Sequence, residues 1–218
     1  MNKRAIIALI LFIFLTTITF NHKLAFTKLN LSEIKIENNK IITDEEILKL
    51  LRPFYNKNLL FVRSTEIEKA LMKNSFIKSF NLKKKYPNTI KLKIFEHKPI
   101  VILFDKKKKF YLNEKIGLME FKSIKDYKDI PIVIGNKNEF KILYENLKKI
   151  KFPFNIVKKF TLYESKRWDL LTVDEKTIKL PNKNYTKNLN NYLELKEIKS
   201  FKNYFIFDYR IKDQLILK

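Results

Sequence analysis

Hydrophobic and polar positions divide the chain into three stretches. Residues 5–20 form an uncharged, mostly apolar run preceded by Lys3 and Arg4. As a helix it measures roughly 24 Å, short of a bilayer core of about 30 Å. Continued to Phe26, with Lys23 snorkelling to the interface, it is long enough to span. The positive flank Lys3-Arg4 puts the amino terminus in the cytoplasm and the body outside it, although Lys23 and Lys28 weaken the asymmetry. A cleaved signal peptide is the competing reading, but "TFNHKLAF" offers no convincing small-x-small cleavage site. The expectation is a short cytoplasmic tail (residues 1–4) and an uncleaved transmembrane anchor (residues 5–26).

From residue 27 to 100 the pattern reads strand, helix, helix, strand, strand. "SEIKIEN" alternates Ile34 and Ile36 against Glu33, Lys35 and Glu37, a half-buried strand. Thr43 and Glu46 form a capping box ahead of Ile47, Leu50, Leu51 and Phe54 on one helical face, and Pro53 ends the run. Ser64 is the expected N-cap of a second helix carrying Ile67, Ala70 and Leu71. "SFIKSFNLKKKYP" is a strand, the turn falls at Tyr86-Pro87-Asn88, and Ile90, Leu92 and Ile94 face the core on the return. This predicts helices on one side of a small mixed sheet, an α+β layer pair.

Residues 101–218 read as a second, β-rich module with two helices. A hairpin is expected around Asn113 to Gly117, and a short apolar strand in "IPIVIG". Phe140, Leu143, Tyr144, Leu147 and Ile150 share one helical face, as do Tyr185, Leu189, Tyr192 and Leu193. Short strands fill "NIVKKFTLYESKRWDLLTVDEKTIKLP", and two more close the chain, joined at Lys212-Asp213.

Composition removes several classes of chemistry. There is no cysteine, so disulfides and thiolate metal sites are excluded, and His22 and His97 lie far apart. Two glycines, Gly117 and Gly135, cannot build a phosphate cradle. The formal net charge is +23, from 46 basic residues against 23 acidic ones. Only Arg4, Arg52, Arg63, Arg167 and Arg210 are arginines. The lysines are scattered and accompany Asn, Ile, Phe and Tyr, a set that shares AT-rich codons. They read as a solvated face before they read as a site for anionic lipid or nucleic acid.

The phrase "KKYPNTIKLKIFEHKP" at residues 84–99, with the strand order around it, resembles the POTRA domain of the FtsQ/DivIB cell-division family. The second module carries the rest of the resemblance. Lys166-Arg167-Trp168-Asp169-Leu170, Ile178-Lys179-Leu180-Pro181 and Ile206-Phe207-Asp208-Tyr209-Arg210 look like that family's "RWDL", "LP" and "DlR" series, in that order. Ile130-Pro131-Ile132-Val133-Ile134-Gly135 looks like its "lP-x-(apolar)-x-G" strand. The likeness covers nearly the whole chain and is of the alphaproteobacterial type. Two features depart from the family: the tail before the apolar run is very short, and Asn38-Asn39 stands where a glycine-containing turn is usual. Asn takes φ > 0, so the turn is expected to hold.

The resemblance implies a non-enzymatic divisome assembly protein. It would sit in the inner membrane at the septum with a single pass, its bulk periplasmic, linking early division factors to FtsB and FtsL and so to septal peptidoglycan synthesis. No cofactor and no nucleic acid are expected. Rival readings are a POTRA-bearing outer-membrane assembly or transport factor, a basic nucleic-acid-binding module, and an envelope hydrolase.

Glu96-His97 looks like an acid–base pair, but strand parity puts the two side chains on opposite faces. Glu96 is instead a candidate docking residue. The terminal residues Gln214, Leu215, Ile216, Leu217 and Lys218 are expected to form an edge strand that receives a partner strand, with Tyr209 and Arg210 beside it and Lys187 and Lys196 adding charge. Tyr86, Pro87, Arg167, Trp168, Asp169, Leu180, Pro181 and Asp208 are expected to be structural.

Overall fold

A computed structural model describes residues 3–17 and 29–218. The chain divides into two compact units, Met1–Phe95 and Glu96–Lys218. The division falls a few residues before the expected boundary at residue 100. Its physical reason is that the strand ending at Glu96 belongs to one sheet and the strand starting at Pro99 to another.

Helix α1 runs Lys3–Thr17. The expected membrane anchor is therefore described only in part, and residues 18–26 lie outside the described residues, as do residues 1–2 of the expected tail. No helix among the described residues is long and apolar enough to cross a membrane.

The rest of the first unit is built from β1 (Glu33–Glu37), α2 (Asp44–Leu51), α3 (Ser64–Leu71), β2 (Ile77–Lys85) and β3 (Thr89–Glu96). β3 is central, with β1 on one side and β2 on the other. β1 pairs with β3 in parallel, Glu33 opposite Thr89. The alternation of β3 is visible in its burial: Ile90, Leu92 and Ile94 are buried.

The capping box at the start of α2 forms as its residue types require. Glu46 N–H donates to Thr43 Oγ1 at 3.2 Å, and Thr43 N–H to Glu46 Oε2 at 2.9 Å. Asn38 stands at φ 71 and donates its amide to the Ile94 carbonyl, which holds the turn after β1 without glycine. Ser64 is the first helical residue of α3; the cap position is Arg63, which makes no side-chain cap bond. The expected cap is thus displaced by one residue.

The second unit holds one nine-stranded sheet. Its strands are β4 (Pro99–Asp105), β5 (Lys108–Asn113), β6 (Leu118–Glu120), β7 (Ile132–Ile134), β8 (Val157–Leu162), β9 (Trp168–Thr172), β10 (Thr177–Lys179), β11 (Ile206–Asp208) and β12 (Ile216–Leu217). The spatial order is β12-β11-β10-β9-β8-β7-β4-β5-β6. Helices α4 (Lys137–Lys149) and α5 (Thr186–Leu195) bury Phe140, Leu143, Leu147, Leu189 and Tyr192 in the same cluster as Val133, Phe160, Trp168, Leu170 and Phe207. Phe140 meets the Trp168 ring edge-on at 6.2 Å between centroids.

Gly135 is placed by close approach. A Cβ there would come within 2.8 Å of Leu162 Cβ and 3.5 Å of the Trp168 ring. A hairpin that the hydrophobic pattern did not announce joins β4 to β5 through Lys106 and Lys107, with Lys106 at φ 55. Glycine is the usual residue at the first position of such a two-residue loop, and lysine fills it here.

A candidate strand-docking edge and its polar face

Among the described residues, β12 closes one side of the nine-stranded sheet. It is antiparallel to β11, with Phe207 opposite Leu217 and Asp208 opposite Ile216. The regular strand holds two residues rather than the five expected at 214–218. Gln214 belongs to a turn, its N–H donating to the Ile211 carbonyl, and Leu215 follows it outside the strand. Asp213 takes φ 56 within this connection.

The register decides which main-chain groups are free. Lys218 and Ile206 exchange both bonds: Ile206 N–H donates to the Lys218 carbonyl at 2.9 Å, and Lys218 N–H to the Ile206 carbonyl at 3.2 Å. In an antiparallel ladder, bonded pairs alternate with unbonded ones. Asp208–Ile216 is then the next bonded pair, and Leu217 lies between. The N–H and C=O of Leu217 point away from β11 toward the open edge, while its side chain packs against the core cluster. The Ile216 side chain lies on the opposite face, with about a third of its surface exposed.

That opposite face carries a row of polar residues set by register alone. Thr161 of β8 pairs with Asp169 of β9, Asp169 with Lys179 of β10, Lys179 with Asp208 of β11, and Asp208 with Ile216 of β12. Arg210 forks onto Asp208: Nε donates to Oδ1 at 2.8 Å and Nη2 to Oδ2 at 2.6 Å. These bonds, opposed by burial, hold the Asp208 carboxyl below its ordinary range. Asp169 is 8% exposed, and burial raises its carboxyl above the ordinary range against the pull of Arg167 and Lys179. Arg167 stacks over the Tyr163 ring at 4.6 Å. Asp169 Oδ1 and Arg167 Nε are buried without a hydrogen-bond partner among the described residues.

A groove beside β12 runs between α5 and residues 209–215. Lys183, Lys187, Arg210 and Lys212 line it, with Asp213 as its acidic residue and Asn184, Asn188 and Asn191 between. Lys187 is exposed. Lys196 is half-buried and pairs with Glu197 at 3.6 Å, so it does not add the free charge expected of it.

Tyr209, expected to touch a partner, is 4% exposed and belongs to the core. Its hydroxyl donates to Asn191 Oδ1 at 3.0 Å, and burial drives its pKa far up. It can shape the groove floor but presents little surface. Arg210, also expected there, has its guanidinium committed to Asp208 and keeps about two-fifths of its side-chain surface.

Trp168 and Leu180 are buried, and Leu180 N–H donates to the Trp168 carbonyl. Pro181 follows β10 at the groove wall. Tyr86-Pro87 forms the β2–β3 turn, with a cis peptide bond. Glu96 ends β3, far in sequence from β12. His97 meets Glu114 instead, Nδ1 to Oε1 at 3.4 Å, a contact across a hairpin that strand parity did not reveal. Among the described residues no cluster of His, Asp or Glu could hold a metal ion.

The family of the POTRA domain, FtsQ-type, matches residues 29–97. The chain is 28% identical over 210 residues to the cell division protein FtsQ of Rickettsia conorii, covering 93% of this chain and 78% of that protein. It is 29% identical over 179 residues to FtsQ of Rickettsia felis, covering 80% of this chain and 66% of that one. The cell division protein DivIB of Clostridium tetani is 26% identical over 110 residues, half of this chain and 40% of its own length. Among solved structures, the extracytoplasmic domain of DivIB from Geobacillus stearothermophilus matches 50% of this chain and 98% of its own, at 16% identity and a TM-score of 0.33. Residues 29–97 thus match a POTRA domain of FtsQ type, and cell-division proteins named FtsQ align along both units.

Proposed function

We propose that this protein is a non-catalytic assembly protein of the division machinery. Its N-terminal apolar segment anchors it in the inner membrane, and both units lie on the periplasmic side at the septum. It links early-arriving division factors to FtsB and FtsL, and through them to septal peptidoglycan synthesis.

The observation that carries this reading is the open edge at β12. Leu217 offers an outward N–H and C=O beside a groove with four cations and one acid. An added strand would take main-chain bonds from Leu217, place alternate side chains against Ile216 and the polar row, and meet the groove with acidic residues. POTRA-side recruitment, with Glu96 as its docking residue, is a separate part of the proposal. It is tested by Glu96→Lys with intact folding, where loss of septal localisation is expected.

The test of the edge is Leu217→Pro in the full-length protein. It removes the outward N–H and leaves the bonds of Ile216 and Lys218 to β11 in place. Capture of FtsB and FtsL from detergent extract should collapse while the melting temperature changes little. Capture at normal strength would place the interface elsewhere.

A further inference from the structure

The end of the first unit where the chain enters carries two apolar side chains that point into water. Asn58 opens a tight turn: its side chain accepts from Leu60 N–H at 3.0 Å, and its carbonyl accepts from Phe61 N–H at 3.0 Å. Leu59 and Val62 on either side are buried, so the turn cannot roll Leu60 and Phe61 inward. Leu60 is 48% exposed and Phe61 74%. Single exposed apolar residues are ordinary, but two adjacent ones held out by a bonded turn call for an occupant.

The position of this turn identifies the occupant. Residues 29–31 run antiparallel to residues 56–59: Leu59 N–H donates to the Leu29 carbonyl at 2.8 Å, Leu31 N–H to the Lys57 carbonyl at 2.9 Å, and Asn30 bridges Asn58. Leu29 therefore lies beside Leu59, the residue that precedes Leu60 and Phe61. The β2–β3 turn lies at this same end, because the Asn88 carbonyl accepts from Ser32 and Glu33 N–H, and Tyr86 there is 56% exposed. The apolar run read as a membrane anchor ends at Phe26, three residues before Leu29, a reach of at most about 11 Å fully extended.

Cations outnumber acids at this end. Lys57 and Arg63 flank the turn, Lys84 Nζ reaches the Leu60 carbonyl at 3.4 Å, and Lys85 precedes Tyr86. Of the nearby acids, Glu33 is engaged by Thr89 at 2.9 Å and Lys35 at 3.2 Å, and Glu66 stands in the first turn of α3. Apolar side chains ringed by cations, within a few residues of a spanning segment, match an interface of anionic phospholipid.

We propose that the Leu60–Phe61 turn is a second membrane contact. The two side chains enter the interfacial layer of an anionic bilayer beside the point where the chain leaves it, with Lys57, Arg63, Lys84 and Lys85 at headgroup level. The contact fixes how the first unit stands on the membrane. It rests on the reading that the N-terminal segment spans the bilayer.

The absence of cysteine makes the test clean. Full-length Phe61→Cys, Leu60→Cys, Ile10→Cys and Lys40→Cys proteins are labelled with a nitroxide and reconstituted in phosphatidylcholine vesicles with and without phosphatidylglycerol. Lys40 lies beyond the far end of β1 and reports loose adsorption. Accessibility to oxygen against a water-soluble nickel complex gives depth. The label at position 10 should lie deep, that at 40 in water, and those at 60 and 61 in the interfacial layer, several-fold less accessible to nickel when phosphatidylglycerol is present. Labels at 60 and 61 as wet as at 40, with position 10 deep, would overturn the inference and leave the spanning reading standing. A wet label at position 10 would overturn the spanning reading and the inference with it. Dipolar broadening at 61 without lipid immersion would assign the patch to a second copy of the chain, and immersion indifferent to phosphatidylglycerol would remove the part assigned to the cations.

Discussion

Leu217 stands opposite Phe207 in an unbonded pair of the last ladder, so its main-chain groups face out while those of Ile216 face in. Proline at the two positions should therefore behave differently. Ile216→Pro removes a bond to β11 and should cost about 1–3 kcal/mol, seen as a lower melting temperature. Leu217→Pro keeps the ladder and trims partly buried apolar surface, a cost under about 1 kcal/mol. Equal destabilisation by both would show that the register is not the one described.

Gly135 faces Leu162 at a distance that leaves no room for a methyl group. Gly135→Ala should shift β7 against β8 and loosen the packing around Trp168. Overpacking of this kind costs about 1–3 kcal/mol. Thermal melting reads the loss, and Trp168 emission, the signal of a single tryptophan, should move to the red. An unchanged melting temperature would mean that β7 has slack.

The first unit was largely legible in the sequence because each of its elements is specified locally. Thr43 and Glu46 announce a helix start within four residues, and Ile90, Leu92 and Ile94 announce a buried face. The second unit was less so. Its strands β7 and β10 are three residues long, and they join by parallel pairing to strands distant in sequence. No periodicity reports such neighbours. The polar row from Asp169 through Lys179 to Asp208 exists only once those pairings are known. The same gap explains Ile216: alternation separates its side chain from that of Leu217, but register alone tells which of the two turns its amide outward. Tyr209 was missed as core because it follows a strand rather than alternating within one.

Asp208 and Asp169 should answer pH with opposite signs. The Asp208 carboxyl sits below its unfolded value, so its ionised form stabilises the fold above about pH 4 and that contribution is lost as pH falls through the folded value. Asp169 sits above its unfolded value, so its ionised form opposes folding at neutral pH, and protonation relieves this as pH falls. Asp208→Asn should therefore cost about 1–2 kcal/mol at pH 7, discounted for the partly exposed guanidinium, with the gap to wild type closing in acid. Asp169→Asn should be neutral or stabilising at pH 7, and its advantage should also shrink in acid. Denaturant titrations across pH 3–7, as differences from wild type, read both. A gap for Asp208→Asn that stays constant with pH would separate its role from its charge.

If a partner strand docks at β12 as proposed, the groove beside it should bear on rate more than on strength. Lys183 and Lys187 line the groove, and both are exposed. In the proposed docking, cations of this kind would draw an acidic partner segment from beyond contact distance, and main-chain bonds at Leu217 would hold it once it arrives. Lys183→Glu combined with Lys187→Glu should slow association several-fold at low salt and leave dissociation nearly unchanged. Raising salt should erase the difference, because charges at the rim are screened over about 10 Å at 0.1 M. Surface-based kinetics with immobilised full-length protein in detergent and a soluble FtsB segment measures both rates. A change confined to dissociation would mean that these lysines touch the bound partner directly, and no change in either rate would remove the groove from the docking path.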